Sequence, residues 1–168
     1  MSVVVRPERE TDKRAIRDVT RLAFEGKSYA DGDEHDLIDK LRQLGALRVS
    51  LVAVDADELI GQISFSPATN AETSGDWYTL GPLAVRPDRQ GQGVGGELIE
   101  SGIRALMDVG AAGCVLTGDP GYYGRHGFCL SRPHCPVGEP ADYFMLRQLA
   151  DVELAGRFAF HPVFYGRG

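Results

Sequence analysis

A mixed α/β domain built on one continuous sheet is the fold class this sequence predicts, and three observations predict it. The apolar spacing passes from two helical patterns to a hairpin and then to strand, helix and strand. A glycine-studded turn over residues 91–96 leads from an apolar strand into an amphipathic helix. Gly81-Pro82 interrupts that strand, and because proline cannot donate to a ladder, a bulge is predicted there, with two strands parting beyond it.

Each element follows from its residues. Val3-Val4-Val5 reads as a short strand. Thr11 is placed to cap a helix whose apolar stripe is Ile16, Val19, Leu22 and Ala23. After a turn-rich break from Gly26 to Gly32, a second helix carries Leu37, Ile38, Leu41 and Leu44 and stops at Gly45. Arg48 to Asp55 and Glu58 to Phe65 alternate as strands joined by the tight Asp55-Ala56-Asp57 link. Pro67 to Asp76 is loop, and Trp77 to Val85 is a long strand. Val94 to Val109 is the glycine-opened helix, with Leu98, Ile99, Ile103 and Leu106 on one face. Gly113 to Thr117 is a buried strand, Pro120 to Gly127 a short helix, and Tyr143 to Leu149 and Arg157 to Phe164 two late strands.

The bulk composition narrows the function. With 168 residues, 43% hydrophobic and 25% charged, one globular domain over 1–168 is expected. No apolar run approaches the ~20 residues that span a bilayer, and Met1-Ser2-Val3 opens no secretory signal. Cys114, Cys129 and Cys135 are therefore read as reduced cytoplasmic thiols, with no membrane partner. Cys129, His134 and Cys135 lack paired metal-ligand spacing, so no metal is expected. A formal charge of −6 without a basic stripe points away from nucleic acid and toward cationic small molecules or basic peptides.

The glycine turn carries the chemistry. The first N–H groups of a helix lack intrahelical partners and sit at the positive end of its dipole, so strand, glycine turn and helix start make a cradle for a diphosphate. Past the Gly81-Pro82 kink, the peptide groups of Leu83, Ala84 and Val85 lose a neighbouring strand and need other partners. Gly91-Gln92-Gly93-Val94-Gly95-Gly96 satisfies G-x-G-x-x-G, and Asp119 follows at a ribose-binding distance. Against a dinucleotide oxidoreductase, Arg86 to Gln90 separate the strand from the first glycine, and Asp119-Pro120 reads as a helix cap. The chain after the motif is also short for a doubly wound sheet.

Gln90-Gly91-Gln92-Gly93-Val94-Gly95 instead resembles the Q/R-x-x-G-x-G/A signature of the GNAT superfamily of acyl-CoA-dependent N-acyltransferases. Tyr122-Tyr123-Gly124-Arg125-His126-Gly127-Phe128 is similar to the Y-x-x-x-G-F segment of the same family. The resemblance implies a mostly antiparallel sheet with a splayed, bulged strand pair, and acetyl-CoA as cosubstrate. It implies that the amides of Gln90, Gly91, Gln92, Gly93, Val94, Gly95 and Gly96 hold the pyrophosphate and that Leu83, Ala84 and Val85 hydrogen-bond the pantetheine arm. Tyr123 falls where relatives keep the general acid, with Tyr122 as the neighbour that could exchange roles, while His126 departs from the aromatic common at its position.

The activity so implied is transfer of an acetyl group to a primary amine by direct attack in a ternary complex. A protonated amine needs a base, and Glu34, His35 and Asp76 are candidates, with Glu34 preferred. Asp31, Asp33, Glu34 and Asp36 cluster where the family's first two helices flank the acceptor, as attractors for a cation or as a dipole-matched helix start. A non-catalytic acyl-CoA sensor of the same fold is the rival reading. The acceptor amine and the acyl-chain preference stay open, and the two late strands are candidates for pairing in a homodimer.

Overall fold

A computed structural model of the chain describes residues 2–28, 30 and 32–165. Seven strands form one mixed sheet in the order β1-β2-β3-β4-β5-β7-β6. They are β1 (Val3–Pro7), β2 (Val49–Asp55), β3 (Glu58–Ala68), β4 (Trp77–Val85), β5 (Gly113–Thr117), β6 (Cys129–Leu130) and β7 (Phe144–Gln148). Every pairing is antiparallel except β4 with β5. The helices are α1 (Lys13–Phe24), α2 (Glu34–Gln43), α3 (Val94–Asp108) and the single turn α4 (Pro120–Tyr123).

Alternation along the strands divides the core between two faces. Cys114 and Leu116 pack with Phe65 beneath α3, which contributes the buried Leu98, Ile99, Ile103 and Leu106. Val115 points to the opposite face, among Trp77, Phe144, Phe158 and Phe160. On that face α1 lays Ile16, Val19 and Ala23 over Val52 and Ala84. Gly102 brings α3 close to β3, since a Cβ there would meet the Phe65 ring at 2.5 Å.

The bulge is real, and it separates the strands. Ile63 pairs with Leu83 and Phe65 with Leu80, so one residue of β3, Ser64, opposes two of β4, Gly81 and Pro82. The Gln62 side chain holds the distortion from below: its Nε2 donates to the Pro82 carbonyl at 3.1 Å, and its Oε1 accepts from Ser64 Oγ at 2.9 Å. The parallel ladder between β4 and β5 ends at Thr79 and Val115, and beyond that point the two strands part.

Several local expectations need correction. Thr11 caps nothing: a 3-10 turn over Glu10–Asp12 precedes α1. The Asp12 carboxylate takes the interactions instead, at 2.7 Å from Arg6 Nη1 and 2.6 Å from the Arg9 N–H, because a charge-assisted bond outcompetes a neutral hydroxyl. Leu22 lies outside the stripe, 39% exposed, and Thr20 is buried in its stead with Oγ1 bonded to the Ile16 carbonyl. Leu44 follows the end of α2 and is likewise exposed. Residues 157–164 form no strand. The segment touches the sheet through one bridge, Ala159 to Thr69, then coils into a 3-10 turn at Pro162–Tyr165, held by the buried rings of Phe158 and Phe160. Pro67 and Ala68 belong to β3, not to the loop that follows. The two-residue β6 was not anticipated. β7 pairs with β5 along its length and with the two-residue β6 at Met145 and Leu146.

Candidate active site

Two cavities lie against β4 near the bulge. The first, about 570 Å³, contains Leu83, Val85, Gln90, Gly91, Gly93, Val94, Gly95 and Gly96 of the sequence-based set in its wall. Its geometry is backbone geometry. Arg86 N–H donates to the Ile60 carbonyl at 2.8 Å, and antiparallel pairs alternate, so Ala84 and Arg86 face β3 while the peptide groups of Leu83 and Val85 point away from it. The β5 ladder has already ended, so those groups border the cavity. Gln90 Nε2 donates to the Val85 carbonyl at 2.9 Å, which pins the turn to the strand end.

The turn enters α3 through Gly93, at φ +86°, a conformation that an L side chain rarely adopts. No side chain caps this helix start, so its first N–H groups face the cavity without a local acceptor of that kind. Lys27, Arg89, Arg125 and His126 line the same wall, and no acidic side chain does among the described residues. Helix dipole, open amides and cations together make a site for an extended anion. Outward peptide groups of the adjoining strand, the Leu83 pair and the Val85 N–H, add hydrogen bonding for a neutral arm with amides of its own.

Two members of the sequence-based set stand differently. Ala84 packs with Val19 and Ala23 of α1 and does not line the cavity, so only its strand position relates it to the site. Gln92 directs its side chain into the turn, accepting from Arg89 Nε at 3.1 Å. Arg86 pairs with Glu58 and Asp88, and Arg89 with Asp55 at 2.8 Å, so both carry carboxylate partners. Sequence reading gave no role to Lys27 or Arg125. A positive residue on a polar loop has no local pattern to betray it; only the fold carries them to the glycine turn.

Of the aromatic pair, Tyr122 closes one side of the first cavity and Tyr123 packs behind it. Tyr122 lines it, with Arg125 over its ring at 5.3 Å, and burial raises the phenol pKa above its ordinary value. Tyr123 lines neither cavity. It meets Tyr122 edge-on at 5.0 Å and Phe128 at 5.9 Å, and its ring covers Gly118, the residue after β5. It thus touches Tyr122, which borders the first cavity, and Gly118, the neighbour of Thr117, which borders the second.

The second cavity, about 410 Å³, opens on the other side of Gly81 and Pro82. Asp33, Glu34 and Glu139 line it against one cation, Lys40, with apolar walls from Leu37, Phe160, Val163 and Phe164. Glu34 borders both this cavity and a depression by α1, and its Oε1 accepts from the Gly32 N–H, on the side of that depression, at 3.2 Å. Asp36 borders neither: it is bound to Arg17 at 2.7 Å across α1 and α2. Asp31 lies outside the described residues. His35 lines that same depression by α1, and Asp76 borders another at the far end of β4. Glu139, Thr79 and Thr117 escaped sequence reading altogether, although they converge here from three segments.

Other readings lose their footing. Asp119 Oδ1 accepts from the Gly121 N–H at 3.0 Å with Pro120 as the first helical residue, a helix cap rather than a ribose ligand. With β4–β5 as the one parallel pair in the sheet, no doubly wound nucleotide fold is present. Burial pushes the Cys114 thiol far up, so it supplies no thiolate nucleophile.

Comparison with known proteins agrees with this geometry. Residues 14–128 match the profile of the Acetyltransferase (GNAT) family. The chain is 33% identical over 158 residues to the uncharacterized N-acetyltransferase YhbS of Escherichia coli (strain K12), covering 92% of each chain. A crystal structure of the E. coli YhbS protein in complex with CoA superposes with a TM-score of 0.88 at 31% identity, covering 97% of this chain and 92% of that one. A GNAT family acetyltransferase from Brucella melitensis, crystallised with acetyl-CoA, gives a TM-score of 0.85 at 39% identity, covering 96% and 97%.

Proposed function

The chain belongs to the acetyltransferase (GNAT) family, and from that premise we propose that residues 1–168 act as one cytoplasmic enzyme transferring an acetyl group from acetyl-CoA to a primary amine. The observation that carries the reading is the join between two backbone surfaces: the outward peptide groups of Leu83 and Val85, of which the Val85 carbonyl is already taken by Gln90, and the open start of α3 behind Gly93. A pyrophosphate fits the amides of residues 90–96 beside Lys27, Arg89 and Arg125, and a pantetheine arm fits the edge of β4 as an extra strand. CoA-bound relatives at 31% and 39% identity support that assignment.

When bound, acetyl-CoA supplies an activated acetyl group and a sulfur leaving group. The chain's own residues do the rest. Gly81 to Leu83 lie where the cavities meet, so an outward N–H of Leu83 is placed to polarise an acyl oxygen. Glu34, in the acidic wall, takes the proton that a primary ammonium must lose before its nitrogen can attack. Tyr123 returns a proton to the departing sulfur, a role supported by its contacts beside both cavities. Attack is direct: Cys114 is buried, and the exposed Cys129 lines neither cavity.

The test is release of free thiol from acetyl-CoA by the purified protein across a panel of primary amines. At least one amine should give turnover that saturates in both substrates, with intersecting initial-rate lines. CoA binding with no amine-dependent thiol release across the panel would favour the sensor reading, and parallel lines would reject the ternary complex.

A further inference from the structure

The floor of the acidic cavity specifies more of the acceptor than its charge. Thr79 is 3% exposed and lines that cavity, yet its Oγ1 has no hydrogen-bond partner among the described residues. Ser66 Oγ, directly across the ladder, is in the same condition. A buried hydroxyl without a partner costs ~1–3 kcal/mol, so a molecule that supplies one gains there.

Across the opening stands a fixed carboxylate. Thr79 pairs with Val115, so two residues further along each strand Thr117 comes level with Gly81. Thr117 Oγ1 donates to Glu139 Oε1 at 3.1 Å. Tyr165 sits against the same carboxylate; burial, and then that negative charge, push its phenol up to about 12, so it remains a neutral donor. Glu139 thus stands at the reacting end, and Thr79 lies two residues deeper, roughly 7 Å at the rise of a strand. Phe160 and Phe164, whose rings meet at 6.0 Å, line the same cavity of about 410 Å³. That volume belongs to the small end of ligand pockets, ~300–1,000 Å³.

Resting on the acetyltransferase reading, we propose that the acceptor is an arylalkylamine with a hydrogen-bonding group on the far side of its ring. Glu139 holds the ammonium, the phenylalanine walls hold the ring, and Thr79 Oγ1 bonds the distal group. A polyamine would leave the apolar walls of Leu37, Phe160 and Val163 without an apolar partner.

Calorimetric titration of the whole protein, free and saturated with CoA, with tyramine, 2-phenylethylamine and spermidine tests this. Tyramine should bind at least tenfold more tightly than spermidine and several-fold more tightly than 2-phenylethylamine. Thr79→Val, which removes an orphaned hydroxyl and so keeps the fold, should erase the advantage of tyramine over 2-phenylethylamine and leave CoA affinity unchanged. Glu139→Gln should weaken both arylalkylamines at least tenfold. Tighter binding of spermidine, persistence of the tyramine advantage in Thr79→Val, or no amine binding by a protein that binds CoA would overturn the proposal. Amine binding without CoA binding would leave this proposal standing and reject the acetyl-CoA assignment.

Discussion

The two cavities that meet at the Gly81-Pro82 bulge are built by opposite means. The basic one takes most of its wall from one stretch, residues 83–96, and presents main-chain groups, with cations at its rim. The acidic one gathers Glu34 from α2, Thr79 from β4, Thr117 from β5, and Glu139 and Phe160 from the chain's last third, and it presents side chains. A site made of backbone can serve one unchanging ligand, because it depends on fold geometry rather than residue identity. A site made of converging side chains can be retuned one residue at a time.

That contrast can be broken at four points. Tyr123→Phe, beside both cavities, should cost ~10²–10⁴-fold in kcat, the usual worth of a general acid, with CoA affinity unchanged by calorimetry. A comparable loss of CoA affinity would make Tyr123 a packing residue instead. Gly93→Val places a β-branched side chain at φ +86°. It should weaken CoA at least tenfold while leaving amine affinity in the other cavity within twofold, and equal damage to both would show the cavities are not separable.

Gln62→Leu strikes the shared wall. It removes the donor to the buried Pro82 carbonyl at a cost of about 1–3 kcal/mol, read as a lower Tm, and it should weaken ligands on both sides. Unaltered ligand affinities in that variant would mean that the bulge holds its shape without the glutamine. The smallest effect belongs to a control remote from both sites. The Arg6 guanidinium, helped by the Arg9 N–H, holds the Asp12 carboxyl below its usual range. Its stabilisation is therefore complete above the unfolded value of about 3.9 and is lost as pH falls through the lower, folded value. Asp12→Asn should lower Tm by an amount that stays constant from pH 7 to 5 and shrinks below pH 4, with neither cavity affected. A Tm difference that did not shrink on acidification below pH 4 would reject the ion-pair explanation.

Legibility in the sequence followed the same divide. Strand β4 and the helix opened by Gly93 were readable because proline, glycine and apolar period each have a local steric meaning, and the parting of β4 from β5 followed from Gly81-Pro82 alone. The outward-facing groups of Leu83 and Val85 came from the same argument. What escaped was tertiary. Residues 157–164 look like a strand because their aromatics alternate, yet those rings serve as anchors in a second core and the backbone coils. Thr11 resembled a cap, but the Arg6–Asp12 pair six residues apart took the position. Glu139 sits on a loop between Pro136 and Pro140 with no periodicity around it, and only Thr117, 22 residues earlier, gives it a place in a site.

The central claim is that open amides of β4 and the start of α3 receive CoA. Amide hydrogen exchange with and without CoA tests it most directly. Exchange at Leu83, Val85 and residues 94–96 should slow at least tenfold on adding CoA, while the amides around Glu34 and Glu139 change by less than twofold. Unchanged exchange at Leu83 and Val85, with protection appearing at the acidic cavity instead, would contradict the account.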